Sequence, residues 1–158
     1  MKYKLLVLSA VIASQVQLNK AHAEDNQAQG GAVLTVGNDG ACGFNTIQAA
    51  VDSANGGSII RIASNKFYIE SVGVIDKSLT LQGGYADCSA ANANITDQSQ
   101  AVVGGVGKQA IQVSTPGLRR DVTLRNLAFG GANVGITTGG NIDLLAEDVL
   151  VSNNDMGV

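Results

Sequence analysis

The amino-acid sequence predicts an all-β protein, a parallel β-helix whose repeating coil takes about 22 residues. The main observation is an internal repeat, because segments 122–136 and 144–158 align without a gap at a constant offset of 144 − 122 = 22. Both segments alternate apolar and polar residues in short runs that are separated by Gly, Asn and Asp. The chain also has 20 glycines, one proline and 4% aromatic residues, which suits short strands joined by tight turns.

Apolar residues face apolar residues along this alignment. The aligned positions are Val122/Leu144, Leu124/Ala146, Leu127/Val149, Phe129/Val151, Val134/Met156 and Ile136/Val158, and Gly135 faces Gly157. Leucine-rich repeats share the period, but their leucine and asparagine spacing is absent. In a parallel β-helix each inward side chain would stack on its equivalent about 4.8 Å away in the next coil.

The segment 1–23 is predicted to be a secretion signal that is cleaved after Ala23. Lys2 and Lys4 precede the apolar run Leu5–Ser14, and Ala21 and Ala23 are the small residues that signal peptidase reads. The run is too short for a membrane anchor, which needs about 20 apolar residues. The sequence therefore predicts a secreted or extracytoplasmic protein, in the periplasm or at the cell surface.

Cleavage would remove three lysines, so that ten basic residues become seven against thirteen acidic ones, and 7 − 13 gives a net charge of −6. A negative charge argues against nucleic acid and against anionic membranes as partners. The only histidine, His22, would also be lost, which excludes imidazole catalysis and histidine metal ligands from the remainder. After the signal we expect a linker, residues 24–41, and a β-helix domain, residues 42–158.

A short helix is predicted at the start of this domain, where it would cover the open N-terminal end of the first coil. Apolar residues recur there at helical spacing, at Ile47, Ala50, Val51 and Ala54. Asn45 is the expected N-cap, with Gln48 as the third residue after it, and Gly56-Gly57 would end the helix.

The two cysteines, Cys42 and Cys88, are predicted to form a disulfide, because an even number of cysteines in an oxidising compartment is usually paired. The bridge would tie the helix to an early coil. Two free buried thiols are the alternative.

Corner residues between strands extend the proposed register. A corner needs a residue that tolerates a positive φ, such as Gly, Asn or Asp. Gly83, Gly105, Asn126 and Asp148 follow one another at almost equal spacings that match the length of the repeat. The residue two positions before each of them is apolar: Leu81, Val103, Leu124 and Ala146. Chance is the alternative, because these residue types are common in the chain.

The last coil has no covering element, so the sequence predicts a chain that ends within the solenoid. Its open C-terminal edge is expected to self-associate or to be covered by another chain, since unpaired strand edges invite pairing.

The N-terminal part of the domain resembles secreted bacterial right-handed β-helix proteins of the pectate-lyase-like superfamily. The matching residues are Thr46–Val51, Ile60–Ile62, Tyr68, Glu70 and Leu79–Tyr85, whereas Asn65-Lys66 stands where the family has Pro-Gly. The resemblance implies a right-handed parallel β-helix. It does not select a function, because the superfamily includes lyases, esterases, glycoside hydrolases and adhesins.

No catalytic, cofactor-binding or metal residue is assigned from the sequence. The candidates for a catalytic or sugar-binding groove are Asp121, Arg125, Asp143, Glu147 and Asp148, but Arg125 and Glu147 are expected to form a solvated ion pair.

Asn126 and Asp148 are interpreted as stacked corner residues. Asp39, Asp87 and Asp97 are interpreted as scattered loop acids, and Ser152–Asp155 as a turn, with calcium as the weaker reading. "NIT" at Asn94 is interpreted as a turn, Phe129 as core, and Phe67 or Tyr68 as external.

The sequence favours a non-catalytic, surface-exposed β-helix scaffold or adhesin-type module without a cofactor. Its expected ligand is a carbohydrate or another cell-surface molecule, and no part of it is expected to insert into a membrane. The alternatives are the N-terminal part of a polysaccharide lyase or other carbohydrate-active enzyme, and a fragment of an autotransporter passenger.

Overall fold

A computed structural model of the protein describes residues 31–105, 107 and 109–154. The elements in chain order are β1 (Val33–Val36), α1 (Ile47–Ser53), β2 (Ser58–Ala63), β3 (Tyr68–Ile69), β4 (Val72–Ile75), β5 (Leu79–Tyr85), α2 (Cys88–Ala93), β6 (Ala101–Gly104), β7 (Gln109–Gly130) and β8 (Val134–Ser152). The predicted signal peptide lies outside the described residues, as do the repeat positions Met156, Gly157 and Val158.

The strands form one eight-stranded sheet that curls into a half-barrel, and the pairings within the described residues are parallel. The curl follows from β7, whose successive parts pair with three different strands. Ile111–Ser114 pairs with β4, Val122–Arg125 with β5 and Leu127–Gly130 with β6. The prediction of an all-β protein with parallel strands is therefore confirmed.

The predicted register between the two repeats is confirmed wherever it falls on described residues. From Arg120↔Ile142 to Gly130↔Ser152, β7 and β8 pair at the offset predicted from the repeat, and this stretch includes the four aligned pairs from Val122/Leu144 to Phe129/Val151. The register shifts between Thr115 and Arg120, and the offset before that shift is larger, as in Ile111↔Ile136. Between the pairs Thr115↔Gly140 and Arg120↔Ile142, β7 has more residues than β8, and these additional residues lie around Pro116.

The backward extension of this register is only half right. Asn126 and Asp148 have positive φ values of 50° and 53°, as predicted, but Gly83 and Gly105 do not have positive φ. The prediction placed Val103 next to Leu81, but Val103 pairs with Phe129, and Leu81 pairs with Leu124, which is 124 − 81 = 43 residues further along the chain. The reason is that the chain between β5 and β6 leaves the sheet to form α2, so Gly105 belongs to a different column from Gly83.

The core is built from columns of inward-facing side chains. In one column Ile60, Leu81 and Leu124 are register partners on successive strands, and each is at most 1% exposed. In another, Tyr68, Val103 and Phe129 stack in the same way and are also buried. Because side chains of a strand alternate between its faces, the alternation in the sequence places these residues inside the curl.

Helix α1 contributes its predicted apolar face to this core. Ile47, Ala50, Val51 and Ala54 are buried in the same cluster, and the helix contacts β1, β2 and β4. The predicted N-cap was wrong: Thr46, not Asn45, is the cap, and its hydroxyl accepts from the Ala49 amide at 3.3 Å. The helix ends at Ser53, before the glycines that were predicted to stop it.

Three side chains fasten α1 to the sheet. Glu70 accepts the Ile47 and Gln48 amides at 3.0 Å each, so its carboxylate lies at the positive end of the helix. The Gln48 amide bonds both the N–H and the C=O of Gly73 in β4, at 2.7 and 3.3 Å. The Lys77 ammonium donates to the carbonyls of residues 51 and 52 at the other helix end. On β4, the helix thus satisfies the N–H and the C=O of Gly73, as a neighbouring strand would.

The predicted disulfide is present. Cys42 and Cys88 are bonded, with Cα atoms 5.1 Å apart, and the bridge joins the loop after β1 to the first turn of α2. The range 24–41, for which the sequence predicted a linker, contains β1, and Val33–Val36 pairs in parallel with Ile59–Ile62. The short strand escapes sequence analysis because only Val36 and Thr35 of its four residues are buried.

The phenol of Tyr68 is enclosed by the first strands, which predicts a loss of stability at alkaline pH. Its hydroxyl donates to the carbonyls of Ala63 at 2.7 Å and Val36 at 3.2 Å. Burial, followed by the negative charges of Glu70 and Asp39, raises the pKa of Tyr68 above its usual 10.0. The unfolded chain releases this proton at a lower pH than the folded protein. The stabilisation is therefore complete below about pH 10 and is lost as the pH rises further.

We expect Tyr68→Phe to flatten this alkaline loss, while it costs about 1 kcal/mol at neutral pH through the missing hydrogen bond. Urea denaturation at a series of pH values between neutral and alkaline measures both effects. Some slope should persist in the variant, because burial also raises the pKa of Tyr85. Identical slopes for the variant and the wild type would refute this role of Tyr68.

Candidate functional site

The charged residues singled out from the sequence lie on the outer surface of β7 and β8. Arg125 and Glu147 are register partners and form an ion pair, with side chains 44% and 45% exposed. Arg119 pairs with Asp143, and Arg120 pairs with Asp76 at 3.1 Å. Pairs as exposed as Arg125–Glu147 each contribute about 0.2–1 kcal/mol. The expectation of a solvated ion pair between Arg125 and Glu147 is confirmed.

The candidate acids do not converge on one point. Asp121 and Asp143 are register partners at the start of the paired stretch, whereas Glu147 and Asp148 lie at the corner where the stretch turns. The backbone N–H of Asp121 donates to the Ser78 hydroxyl at 3.1 Å. The backbone carbonyl of Asp148 accepts from the Gln100 amide at 2.9 Å. These residues therefore divide into two separate groups on the sheet surface.

The three loop acids, interpreted as scattered, each fix a local backbone feature. Asp39 accepts from the amides of Ala41 and Cys88, at 3.1 and 3.0 Å. Asp87 is the N-cap of α2 and accepts the Ala90 amide at 2.8 Å. Asp97 accepts the hydroxyl and the amide of Ser99, and these hydrogen bonds lower the pKa of its carboxyl. Their role is structural, which the sequence pattern alone did not reveal.

In two places where metal ligands could gather, the described side chains have other partners. Asp39, Cys42 and Cys88 offer ligand atoms within 4.8 Å of one another, but both sulfurs belong to the disulfide and so are not thiolates. In the segment Ser152–Asp155 the Asn154 side chain accepts the Ala132 amide at 3.0 Å and donates to the Phe129 carbonyl at 3.2 Å. It links neighbouring layers as a turn residue, and Asp155 lies outside the described residues.

The remaining sequence candidates also take structural positions. Phe129 is core, as predicted, and Tyr68 is buried, so Phe67, which is 74% exposed, is the external aromatic residue of that pair. Asn94 ends α2 with a positive φ of 57°, and its side chain accepts from the Tyr85 hydroxyl at 2.9 Å. The Asn-Ile-Thr segment is therefore a turn, as expected.

An open polar groove of about 710 Å³ lies beside the corner residues, and sequence reasoning missed it. Its lining comes from three distant parts of the chain, namely Gln82, then Thr96, Gln98 and Gln100, then Asn126 and Asp148. The one sequence signal for it is the run of polar residues 96–100 between α2 and β6. That run does not by itself indicate that the segment lies beside Asn126 and Asp148.

Neither helix in the described part of the chain is long and apolar enough to span a membrane. Comparisons with protein-family models, with curated proteins and with solved structures gave no match to this chain.

Proposed function

We propose that the chain forms a right-handed parallel β-helix of the pectate-lyase-like kind and serves outside the cytoplasm as a non-catalytic scaffold or adhesin-type module. Helix α1 would be the lid of its N-terminal end. Three observations support this function: the parallel pairing of the strands, the ion pair between Arg125 and Glu147, and the disulfide.

The offsets between paired strands support the β-helix. Ser58↔Leu79 and Val122↔Leu144 are separated by 79 − 58 = 21 and 144 − 122 = 22 residues, which matches one repeat, and Ala101↔Leu127 by a slightly larger 127 − 101 = 26. A chain that pairs with itself in parallel at such intervals winds round by one strand width per coil. Three offsets are larger, 103 − 68 = 35 between β3 and β6, 111 − 72 = 39 between β4 and β7, and 122 − 79 = 43 between β5 and β7, and each of these intervals contains the α2 segment.

The observation that carries the non-catalytic assignment is the pairing of Arg125 with Glu147. A general acid or base works best when its pKa lies near the working pH and its proton can reach the substrate. Here the two charges that the register brings face to face neutralise each other on an open surface. Asp97 has a lowered pKa, so it stays ionised at neutral pH and cannot donate a proton.

The disulfide supports an extracytoplasmic location. Structural disulfides form and persist mainly in oxidising compartments. Cys88 is fully buried, so the bridge is part of the folded core and not a surface-exposed redox centre.

The test is to incubate the purified protein with pectin, pectate and alginate in the presence of calcium and to follow the absorbance of unsaturated products. The same protein is applied to surfaces coated with cell-wall polysaccharides, and its retention is measured. We expect retention without product, with Glu147→Gln behaving as the wild type in both assays. Product release that Glu147→Gln abolishes would instead identify part of a carbohydrate-active enzyme.

Self-association through β8 stays a prediction. Among the described strands β8 pairs only with β7, and its outward Leu145 and Leu150 are 48% and 50% exposed. We expect sedimentation to show a concentration-dependent dimer or larger species, because an unpaired edge can add a further strand. A monomer at every concentration would count against it.

A further inference from the structure

The polar groove beside the corner residues has the construction of a ligand site. It is lined by four side-chain amides, one hydroxyl and one carboxylate, from Gln82, Gln98, Gln100, Asn126, Thr96 and Asp148. Its volume of about 710 Å³ falls in the range of small-molecule and oligomer sites. Among the described residues, no lysine, arginine or aromatic side chain lines it.

One wall follows the sheet. Asn126 and Asp148 take the same positive-φ conformation at the same corner of adjacent strands, which places them about 4.8 Å apart. Gln82 precedes them on β5, as the register partner of Arg125. This wall therefore brings polar side chains from three successive strands, β5, β7 and β8, next to one another along the stacking direction, where an extended ligand could contact them in turn.

The other wall is the segment 96–100, and hydrogen bonds hold it in place before any ligand arrives. The Asp97 N–H donates to the Gly84 carbonyl at 2.9 Å, and the Ser99 and Ser64 hydroxyls bond each other at 2.9 Å. The Gln100 amide reaches across to the Asp148 carbonyl. The Ser99 side chain thus bonds to the body of the protein, whereas Asp97 is held by its backbone N–H and its carboxylate is exposed. Thr96, Gln98 and Gln100 line the groove.

The lining also has unused hydrogen-bonding capacity. Within the described residues the side-chain amides of Gln82, Gln98 and Asn126 have no hydrogen-bond partner. Each amide offers two donors and an acceptor, so converging amides match hydroxyl groups, which both donate and accept. A single carboxylate without a facing cation disfavours an anionic ligand and is too little for a hard metal ion, which collects several charged oxygens.

We propose that this groove binds a neutral, hydroxyl-rich saccharide chain along the corner row. This inference rests on the proposed scaffold function, for which it names the binding surface and the ligand class. Binding would cost little ordering of the backbone, because hydrogen bonds already hold both walls, and the ordering cost would fall on the Gln82, Gln98 and Asn126 side chains.

The experiment is a titration of the isotopically labelled full chain, followed by amide resonances, with neutral hexasaccharides of glucose, xylose, mannose and galactose. Hexagalacturonate and calcium chloride alone are separate arms. We expect saturable shifts at residues 82, 96–100, 126 and 148 with at least one neutral hexasaccharide. The double variant Gln82→Ala/Gln98→Gly should bind about tenfold more weakly, since two hydrogen bonds are lost while glycine keeps the positive φ of 63° at residue 98.

Asn126→Gly is the second variant, because glycine keeps the positive φ while the amide is removed. Gln112→Ala is the matched control, since Gln112 lies outside the groove and is bonded to Gln109 at 2.7 Å. The proposal is overturned if no neutral hexasaccharide shifts the groove resonances, if hexagalacturonate or calcium binds there instead, or if the groove variants bind as the control does. Product release in the degradation assay would overturn the scaffold function but not the groove.

Discussion

Replacing Cys42 by serine should lower the free energy of unfolding by about 4 kcal/mol under oxidising conditions. The bridge closes a loop with a sequence separation of 46 residues, and the cost comes from the chain entropy that the unfolded state regains. The bridge packs closely against Gly37, where an added Cβ would be 2.2 Å from the Cys88 sulfur. Thermal and urea denaturation, followed by circular dichroism, measure the loss.

The control for this prediction is the wild type with a reducing agent, which should unfold at the same midpoint as the variant. The reducing agent should leave the variant itself unchanged, because it has no bridge to lose. An oxidised variant that melts at the wild-type temperature would falsify the stabilising role of the bridge.

Replacing Gly83 by alanine should destabilise the protein by about 3 kcal/mol, because a backbone atom occupies the space that the new methyl group needs. A Cβ on Gly83 would lie 2.1 Å from the carbonyl oxygen of Asn126 on the neighbouring strand. That oxygen belongs to the sheet and cannot rotate away as a side chain could. The free energy of unfolding from urea titration is the measurement.

Gly117→Ala is the matched control, since an added Cβ there meets no atom within 4 Å. It should remain within about 1 kcal/mol of the wild type, or be slightly more stable, because alanine restricts the unfolded chain. Equal effects at Gly83 and Gly117 would mean that the two strands do not approach each other as closely as described.

At Gly83 the residue type predicted a constrained backbone but not the cause of the constraint. The sequence singled out Gly83 as a corner with positive φ, but the positive φ is at Gly84, with a value of 90°. Glycine at 83 is required for a different reason, the approach of β7, a strand that lies far along the chain. Residue type reveals that a backbone is constrained, but not whether the constraint is conformational or steric.

The columns of inward-facing side chains were also predicted only in part. The matched pairs from Val122/Leu144 to Phe129/Val151 could be predicted because the two repeats have the same length between corners. Val103 was assigned to the column of Leu81, yet it stacks on Phe129. Both columns accept buried apolar side chains of similar kind, so alternation alone cannot say which column a strand joins.

The sequence alone determined the alternating strands, the repeat and its register, the apolar face of α1 and the pairing of the two cysteines, since each depends on local periodicity or on counting. Only the tertiary structure decided how Glu70, Gln48 and Lys77 hold α1, and how the segment 96–100 meets Asn126 to form a groove. Those contacts join residues that are far apart in the chain. Their meeting depends on where the strands between them pair, which no local pattern encodes.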